Sequence, residues 1–276
     1  MKIAAVLTCF NRKSKTLNCI KKLNQQYQNI DIYVCDDAST DFTSEAIEKE
    51  YPKVRIIKSN GGLFWSKGMY QGMKSAILED YDFYLMVNDD VDFYDNMLKT
   101  MINSYMLANH SCGIVGSTKS ANSDKLTYGG SILQEKWNIN KKTLLNPNRN
   151  IQQCDFANWN CFLIDRSTIE TVGLIDNKYE HGTGDFDYSC RMNKKGIPIY
   201  VATDYIGTCD RNTLVNTFSD NNLSRRKRIS LLVSKKGLPI KSSFRFYWKN
   251  YKLIGIPFWV WMYLRVLMLI SLGKNC

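Results

Sequence analysis

Apolar positions open the chain as a continuous run, IAAVLT (3–8), with no polar face. A strand buried on both faces carries this pattern, as in a parallel sheet covered by helices. SKTLNCIKKLNQQ then spaces Leu17, Ile20 and Leu23 at helical intervals, with Ser14 as expected N-cap. DIYVCDD (31–37) predicts a second strand, TSEAIEKEY (43–51) a short helix capped by Asp41 or Thr43, and KVRIIKS (53–59) a third strand. SKGMYQGMKSAILED (66–80) is helical and DFYLMVNDD (82–90) is a fourth strand. DNMLKTMINSYMLAN (95–109) is another helix, followed by the strand CGIVGS (112–117).

Strands alternating with helices at this spacing predict βαβ units and a doubly wound, mostly parallel α/β sheet. Right-handed crossovers place the strand carboxyl ends on one edge, where ligands bind. Asp36 and Asp37 end the second strand; Asp89 and Asp90 end the fourth, more than 50 residues later. From about Tyr128 the alternation weakens. Residues 127–150 read as a hairpin and loop, 154–176 as strand into short helix, and 181–202 as loop, helix, turn and strand.

The 276 residues suit one large domain with an appendage, and 44% hydrophobic content is enough for a sizeable core. The net charge of +11 is unevenly placed. Residues 221–276 hold twelve Lys or Arg and no acid, so the first 220 carry 25 basic residues against 26 acidic ones. Nine cysteines without a C-x-x-C pair argue against zinc-finger spacing and a disulfide scaffold, and a reducing cytosol is the simplest setting. The apolar N-terminal run lacks a small-residue cleavage site and reads as a strand rather than a signal peptide.

Three acidic stretches carry candidate chemistry. In CDDASTD (35–41), a carboxylate just past a strand can accept the N–H of a pyrimidine ring, or simply form an Asx turn and a helix cap. In NDDVD (88–92), followed by Asp95, the carboxylates either form a solvated turn or hold a cation. A hard divalent ion on a nucleotide diphosphate needs one or two of them. Asp90 and Asp92 can share that ion, or Asp90 can act alone with Asp89 turned inward to hold a loop. In HGTGDFDYSCR (181–191), Asp185 and Asp187 are ordinary first-turn acids of a helix, or Asp185 faces the cleft as a general base. His181 either lines the same pocket or is structural. NGGLFWSKGMYQG (60–72) offers close backbone approach at Gly61 and Gly62 but neither a dinucleotide fingerprint nor a P-loop. Phe64 and Trp65 are core residues or shape a sugar pocket.

Taken in order, LTCFNR, CDDASTD, NGG…KGMYQGMKSA, LMVNDDVDF, NCFLIDRSTIETVGLID and GDFDYSCRMNKKGIP resemble glycosyltransferase family 2, whose members have a GT-A fold. The likeness spans roughly residues 1 to 210. TYGG (127–130) and YIGTCDRN (205–212) point to the subgroup acting on bacterial surface polysaccharides. The resemblance implies an inverting transfer of a sugar from a nucleoside diphosphate to an acceptor hydroxyl, with Mg²⁺ or Mn²⁺. It implies Thr8, Asn11, Arg12, Asn60, Gly61, Lys67 and Asp89 around the nucleotide, Asp37 at its base, Asp90 and Asp92 at the metal, and Asp185 as catalytic base. The chain departs from the family twice: Asn-Asp-Asp-Val-Asp replaces a lone D-x-D, and Gly184 replaces the acid that usually precedes the base. Asp37 suits UDP or dTDP donors.

The tail begins with SRRKR (224–228) and ends in LIGIPFWVWMYLRVLMLISLG, interrupted by Pro257 and Arg265. About 20 apolar residues suit a membrane span, but only about 15 follow Pro257. Helices lying on an anionic membrane surface are expected, with a span or a helix packed on the core as alternatives. The expected organisation is a GT-A catalytic domain over 1–220, with a nucleotide-sugar-binding half at 1–120 and an acceptor-side half at 121–220. Residues 221–276 form a membrane-associating region. Location on the inner face of the plasma membrane would suit a polyprenyl-diphosphate-linked glycan acceptor. No RNA-binding motif occurs, so no nucleic-acid partner is expected; an oligomer is left open. The competing functions are a sugar-1-phosphate nucleotidyltransferase, which wants a Gly-rich first loop where this chain has TCFNRKSK, and a membrane-attached scaffold with a degenerate site.

Overall fold

The first apolar run forms β1 (Ile3–Cys9), and its alternate residues face opposite sides of a central sheet. Helices and strands follow in the expected order: α1 (Lys13–Gln26), β2 (Ile30–Asp36), α2 (Thr43–Glu50), β3 (Arg55–Lys58), α3 (Phe64–Ala76) and β4 (Phe83–Val87). After the two-residue β5 (Asp92–Phe93) come α4 (Met97–Ala108) and β6 (Gly113–Lys119). Short strands fill the next stretch: β7 (Leu126–Tyr128), β8 (Gly130–Leu133), β9 (Lys142–Leu144), β10 (Gln152–Cys154) and β11 (Phe156–Ala157). The chain continues with β12 (Cys161–Asp165), α5 (Arg166–Val172), α6 (Gly184–Lys194), β13 (Ile199–Thr208), α7 (Arg225–Leu232) and α8 (Ile240–Ser271). This computed structural model describes residues 1–26, 29–135 and 140–275.

The main sheet has the order β10-β13-β6-β12-β4-β1-β2-β3. β3, β2, β1 and β4 are parallel, as are β6 and β13. β12 enters antiparallel between β4 and β6. The sheet is therefore mixed, and the start of β12 lies on the same edge as the end of β4, with Cys161 opposite Val87. A smaller sheet, β11-β8-β9, stands beside it.

Ile3, Ala5 and Leu7 face one core with Cys19, Ile20 and Leu23 of α1 and Met97 and Met101 of α4. Ala4 and Val6 face the other, with Met69 and Met73 of α3 and Tyr188 and Met192 of α6. α3 lies very close to β1. A Cβ at Gly72 would come 2.5 Å from Val6 Cγ1, and one at Gly68 2.8 Å from Thr8 Cγ2. The two glycines in KGMYQG therefore serve helix–sheet packing rather than a phosphate loop. The expected cap of α2 differs. Phe42 takes the N-cap position with a left-handed φ of 61°, while Asp41 accepts from Lys13 N and Thr43 Oγ1 and ties two loops together.

α8 is not one rod. It breaks at Lys252 (φ 56°, ψ −137°), five residues before the expected interruption at Pro257. The second segment folds back along the first. Trp259 Nε1 donates to Ser243 Oγ at 3.0 Å, Tyr263 and Ser243 hydroxyls lie 2.8 Å apart, and a Cβ at Gly255 would lie 2.6 Å from Tyr247 O. The first segment docks on α6 through Phe246 and Tyr247. Arg245 and Lys249 bind Asp176, and Lys249 also binds buried Asp187 at 2.8 Å. Arg228 is buried and donates to Phe218 O and Lys274 O. Arg228, Arg245 and Lys249 of the tail are thus engaged within the protein itself.

Candidate active site

The carboxyl ends of β1, β2 and β4, the start of β12 and the N-terminal turns of α3 and α6 surround one cleft of about 850 Å³. Thr8, Arg12, Asp37, Gly61, Asp89, Asp90 and Asp185 all line it. The acidic groups that the sequence separates by up to 148 positions thus share one cavity.

Arg12, in the β1–α1 loop, organises the first end. Its Nη1 donates to Asp89 Oδ1 at 2.8 Å and its Nη2 to Asp90 Oδ2 at 3.2 Å. Asp89 is buried and also accepts from Thr16 Oγ1 at 3.0 Å. Burial pushes its carboxyl pKa up, and the Arg12 charge opposes this. Asp89 therefore anchors the loop, while Asp90 keeps a partly exposed carboxylate at the cleft. Asp92 is a correction. Pairing of β5 with β13 carries it to an exposed position within 3.5 Å of Asn18, outside the cleft lining, so it is not placed to be a ligand. Among the described residues no group of three or more His, Cys, Asp or Glu is gathered for a metal. One cleft carboxylate fits a divalent ion that completes its shell with diphosphate oxygens and water.

Asp37 stands just past the end of β2 on the cleft wall. Its Oδ1 accepts from Ser59 Oγ at 2.7 Å and Leu63 N at 3.0 Å, and its Oδ2 from Phe64 N at 3.0 Å. A carboxylate has about four acceptor sites, so about one is left for a ligand N–H. These bonds hold Phe64 in its left-handed conformation (φ 56°). Three expected nucleotide residues do not line the cleft. Asn11 accepts from Thr40 N at 2.7 Å and straps two loops together. Asn60 is exposed beside Gly61. Lys67 follows Trp65 by two positions on α3 and is partly exposed outside the cleft lining.

Asp185 sits in the first turn of α6, 8% exposed, and its Oδ1 accepts Phe186 N at 2.9 Å. Burial raises its pKa to about 6, against the bonds from Phe186 N and Trp159 N and the charge of Lys142. A carboxylate at that value is mostly ionised at neutral pH yet a useful base. His181 stands at the same cleft, edge-on to Phe64 with ring centres 6.5 Å apart. Desolvation and the charges of Lys236 and Arg12 push its pKa down.

Gly184, where the family carries an acid, has a packing cause. A Cβ there would lie 2.7 Å from Ser66 Oγ and 3.0 Å from Ile175 Cδ1. Gly184→Ala is expected to lower stability by about 1–3 kcal/mol through overpacking, read as an earlier denaturation midpoint. Ser66→Ala removes a buried hydroxyl without a hydrogen-bond partner and should restore part of that loss. An unchanged midpoint for Gly184→Ala would show that α3 and α6 are not in tight contact here.

Trp65, expected in the core or at a sugar pocket, lines the cleft, whereas Asn158, Asn160 and Lys236 join it without having been singled out as site residues. Trp65 Nε1 donates to Asn88 Oδ1, and Asn88 Nδ2 to Asn160 Oδ1, both at 2.7 Å. Asn158, Tyr128, Asn212 and Lys236 also line the cavity. Asn158 and Asn160 precede a strand that opens on four apolar residues, a usable signal once β12 is known to run antiparallel. Lys236 comes from the tail and carries no local signal.

The family model described as Glycosyl transferase family 2 matches residues 4–173. Protein RfbJ of Shigella flexneri is 29% identical over 127 residues, covering 46% of this chain and 92% of RfbJ. Among solved structures, S. aureus TarS superposes with a TM-score of 0.56 at 14% identity over 84% of this chain, which spans only 40% of the TarS chain. TarS 1–349 in complex with UDP gives 0.54 at 13% identity, covering 99% and 92%. The mannosyltransferase PcManGT from Pyrobaculum calidifontis, in complex with GDP-Man and Mn²⁺, gives 0.57 at 11% identity, covering 99% and 73%. At such low identity these structures speak for a common GT-A architecture. The sequence match itself extends over more than half the chain and takes in Thr8, Asp37 and Asp90, so this chain belongs to glycosyl transferase family 2 and is a glycosyltransferase.

Proposed function

We propose that the chain moves a sugar from a nucleoside-diphosphate donor, of the UDP or dTDP type, to a hydroxyl of a lipid-linked glycan in bacterial surface-polysaccharide synthesis. The observation that carries this reading is that Asp37, Asp90 and Asp185 line one cleft. Complexes of fold relatives with UDP and with GDP-Man and Mn²⁺ support a nucleotide-sugar donor and a divalent ion. Asp37 offers an acceptor to the base, and Arg12 and Lys236 add positive charge along the cleft. Asp90 would hold Mg²⁺ or Mn²⁺ together with the diphosphate, and the ion when bound supplies Lewis-acid neutralisation of leaving-group charge. Asp185 takes the acceptor hydroxyl proton as that oxygen bonds to the anomeric carbon. The bond from that carbon to the diphosphate breaks on the opposite face, which inverts the centre and releases the nucleoside diphosphate.

Incubation with a panel of nucleotide sugars tests the reading. Nucleoside diphosphate should appear with Mn²⁺ and vanish with chelator. Pyrophosphate release would instead identify a nucleotidyltransferase. A chain that neither turns over nor is thermally stabilised by any donor would be a scaffold.

In this reading residues 1–220 are the catalytic part and 221–276 attach it to an anionic membrane on the cytoplasmic side. By length and composition Ile240–Ser271 could cross a membrane, and little of it is buried. The break at Lys252 and the exposed Arg265 within the second segment favour lying in the interface. Leu253, Ile254, Trp261, Leu264 and Met268 are all at least half exposed. Replacing Leu253, Trp261 and Leu264 together by Gln should weaken binding to anionic vesicles at least tenfold, since each buried large apolar side chain contributes about 1.5–3 kcal/mol. Unchanged co-sedimentation would remove the membrane from the proposal.

A further inference from the structure

Lys142 stands on β9, the edge strand of the small sheet, opposite Leu133 of β8. Its ammonium lies 4.1 Å from the ring centre of Phe186 and 4.8 Å from that of Phe156. The two rings pack edge to face, 5.5 Å apart at 85°. Phe186 has a second contact: its backbone N–H donates to Asp185 Oδ1. One residue therefore holds the carboxylate through its backbone and the lysine through its ring. Among the described residues Lys142 has no hydrogen-bond or ion-pair partner, whereas its neighbour Lys141 pairs with Glu135 at 3.3 Å. It is not part of the cleft lining, so it does not meet a ligand there.

Two other cations face the same cleft, Lys236 from the tail and Arg12 from the β1–α1 loop, the latter bound to Asp89 and Asp90; the remaining charged groups around the start of α6 are committed. Asp187 is bound by Arg191 and Lys249. Burial pushes the Cys190 thiol up to about 11 and raises the Tyr251 phenol from α8. Lys194 contacts Asn250 at 3.0 Å, and His181 is held toward its neutral form. Crowding around its ammonium lowers the pKa of Lys142 and the Asp185 charge raises it, although the residue as a whole is exposed at the sheet edge; in return, Lys142 favours the charged form of Asp185.

Resting on the transferase reading above, we propose that Lys142 is a positioning residue for the base: seated over the paired rings of Phe156 and Phe186, its charge keeps Asp185 ionised without bonding to it. The distinction matters chemically. A direct ion pair would fill the acceptor site that the substrate hydroxyl needs and would weaken the base further. Cation–π contacts hold the ammonium at one place while its own donors stay off the carboxylate.

The test is an NMR titration of the Asp185 side-chain carbonyl in the full-length protein, assigned with Asp185→Asn, for the native chain, Lys142→Met and Lys142→Arg. Lys142→Met should raise the Asp185 midpoint by roughly half to one pH unit, less than the 1–3 units of a direct contact. Lys142→Arg should keep the native midpoint. In transfer assays the acid limb of kcat/KM should move up by the same amount, a loss of about 3- to 10-fold at low pH that disappears at pH well above the midpoint. An unmoved midpoint in Lys142→Met overturns the proposal, as does a loss of activity equal at all pH values, which would mark a merely structural role. If the midpoint moves but the native chain transfers no sugar from any donor, the transferase reading fails and the electrostatic link stands.

Discussion

Asp185→Asn is expected to bind a nucleotide-sugar donor as the native chain does and to transfer roughly 10²–10⁴-fold more slowly, the usual contribution of a positioned base. Calorimetric titration of donor with Mn²⁺, alongside turnover, separates the two effects. Near-native turnover would take Asp185 out of the mechanism. In the native chain activity should fall as pH drops through about 6, where Asp185 becomes protonated. Stability should show the opposite sign. The folded-state pKa lies above the unfolded value of 3.8, so the charged carboxylate weighs against folding above about pH 6. That penalty is of order 3 kcal/mol at 1.36 kcal/mol per unit and fades as pH falls from about 6 toward 3.8. Asp185→Asn should therefore melt at or above the native temperature at pH 7.5 and lose the advantage near pH 4. A clearly lower melting point at neutral pH would mean that the carboxylate is held for structure.

Asp90→Ala is the second large effect. Asp90 is the partly exposed carboxylate of the acidic cluster after β4, since Asp89 is buried against Thr16 and Arg12 and Asp92 lies outside the cleft. Loss of Mn²⁺-dependent donor affinity by at least 10–100-fold is expected, the range found when even a supporting group behind a metal ligand is removed. Arg12 keeps its bond to Asp89, so the loop should stay in place and the melting temperature should change little. Donor affinity that is unchanged at saturating Mn²⁺ would show that the ion is held elsewhere or not required. Asp92→Ala makes the internal contrast and should bind donor normally.

Much of this site could be read from one-dimensional patterns because strand ends in a parallel sheet share an edge. Asp37 and Asp90 follow apolar runs that could only be buried strands, so their meeting was a consequence of connection handedness. Asp185 was legible from its place at the start of a helix in a recognisable motif. The failures have a common cause: local spacing does not say which way a side chain turns. Asp92 is two residues from Asp90, but β5 pairs with β13 and carries it to the other side. Lys67 belongs to the same motif as Gly61, but its side chain is partly exposed outside the cleft lining. The expected helix break at Pro257 moved to Lys252 because the two segments of α8 pack on each other around Gly255.

The linear chain by itself determined the βαβ half of the fold, the family, the uneven charge and the three carboxylates, because burial periodicity and strand-end chemistry are local properties. Only the tertiary structure decided that Asp89 is an anchor and Asp90 the open carboxylate, that Gly184 answers to Ser66, that Lys236 reaches the cleft from the tail, and that Lys142 sits over the ring of Phe186, the residue whose backbone holds Asp185. Each of these depends on contacts between segments distant in sequence, set by packing and by which cation is nearest, and no pattern along the chain encodes them.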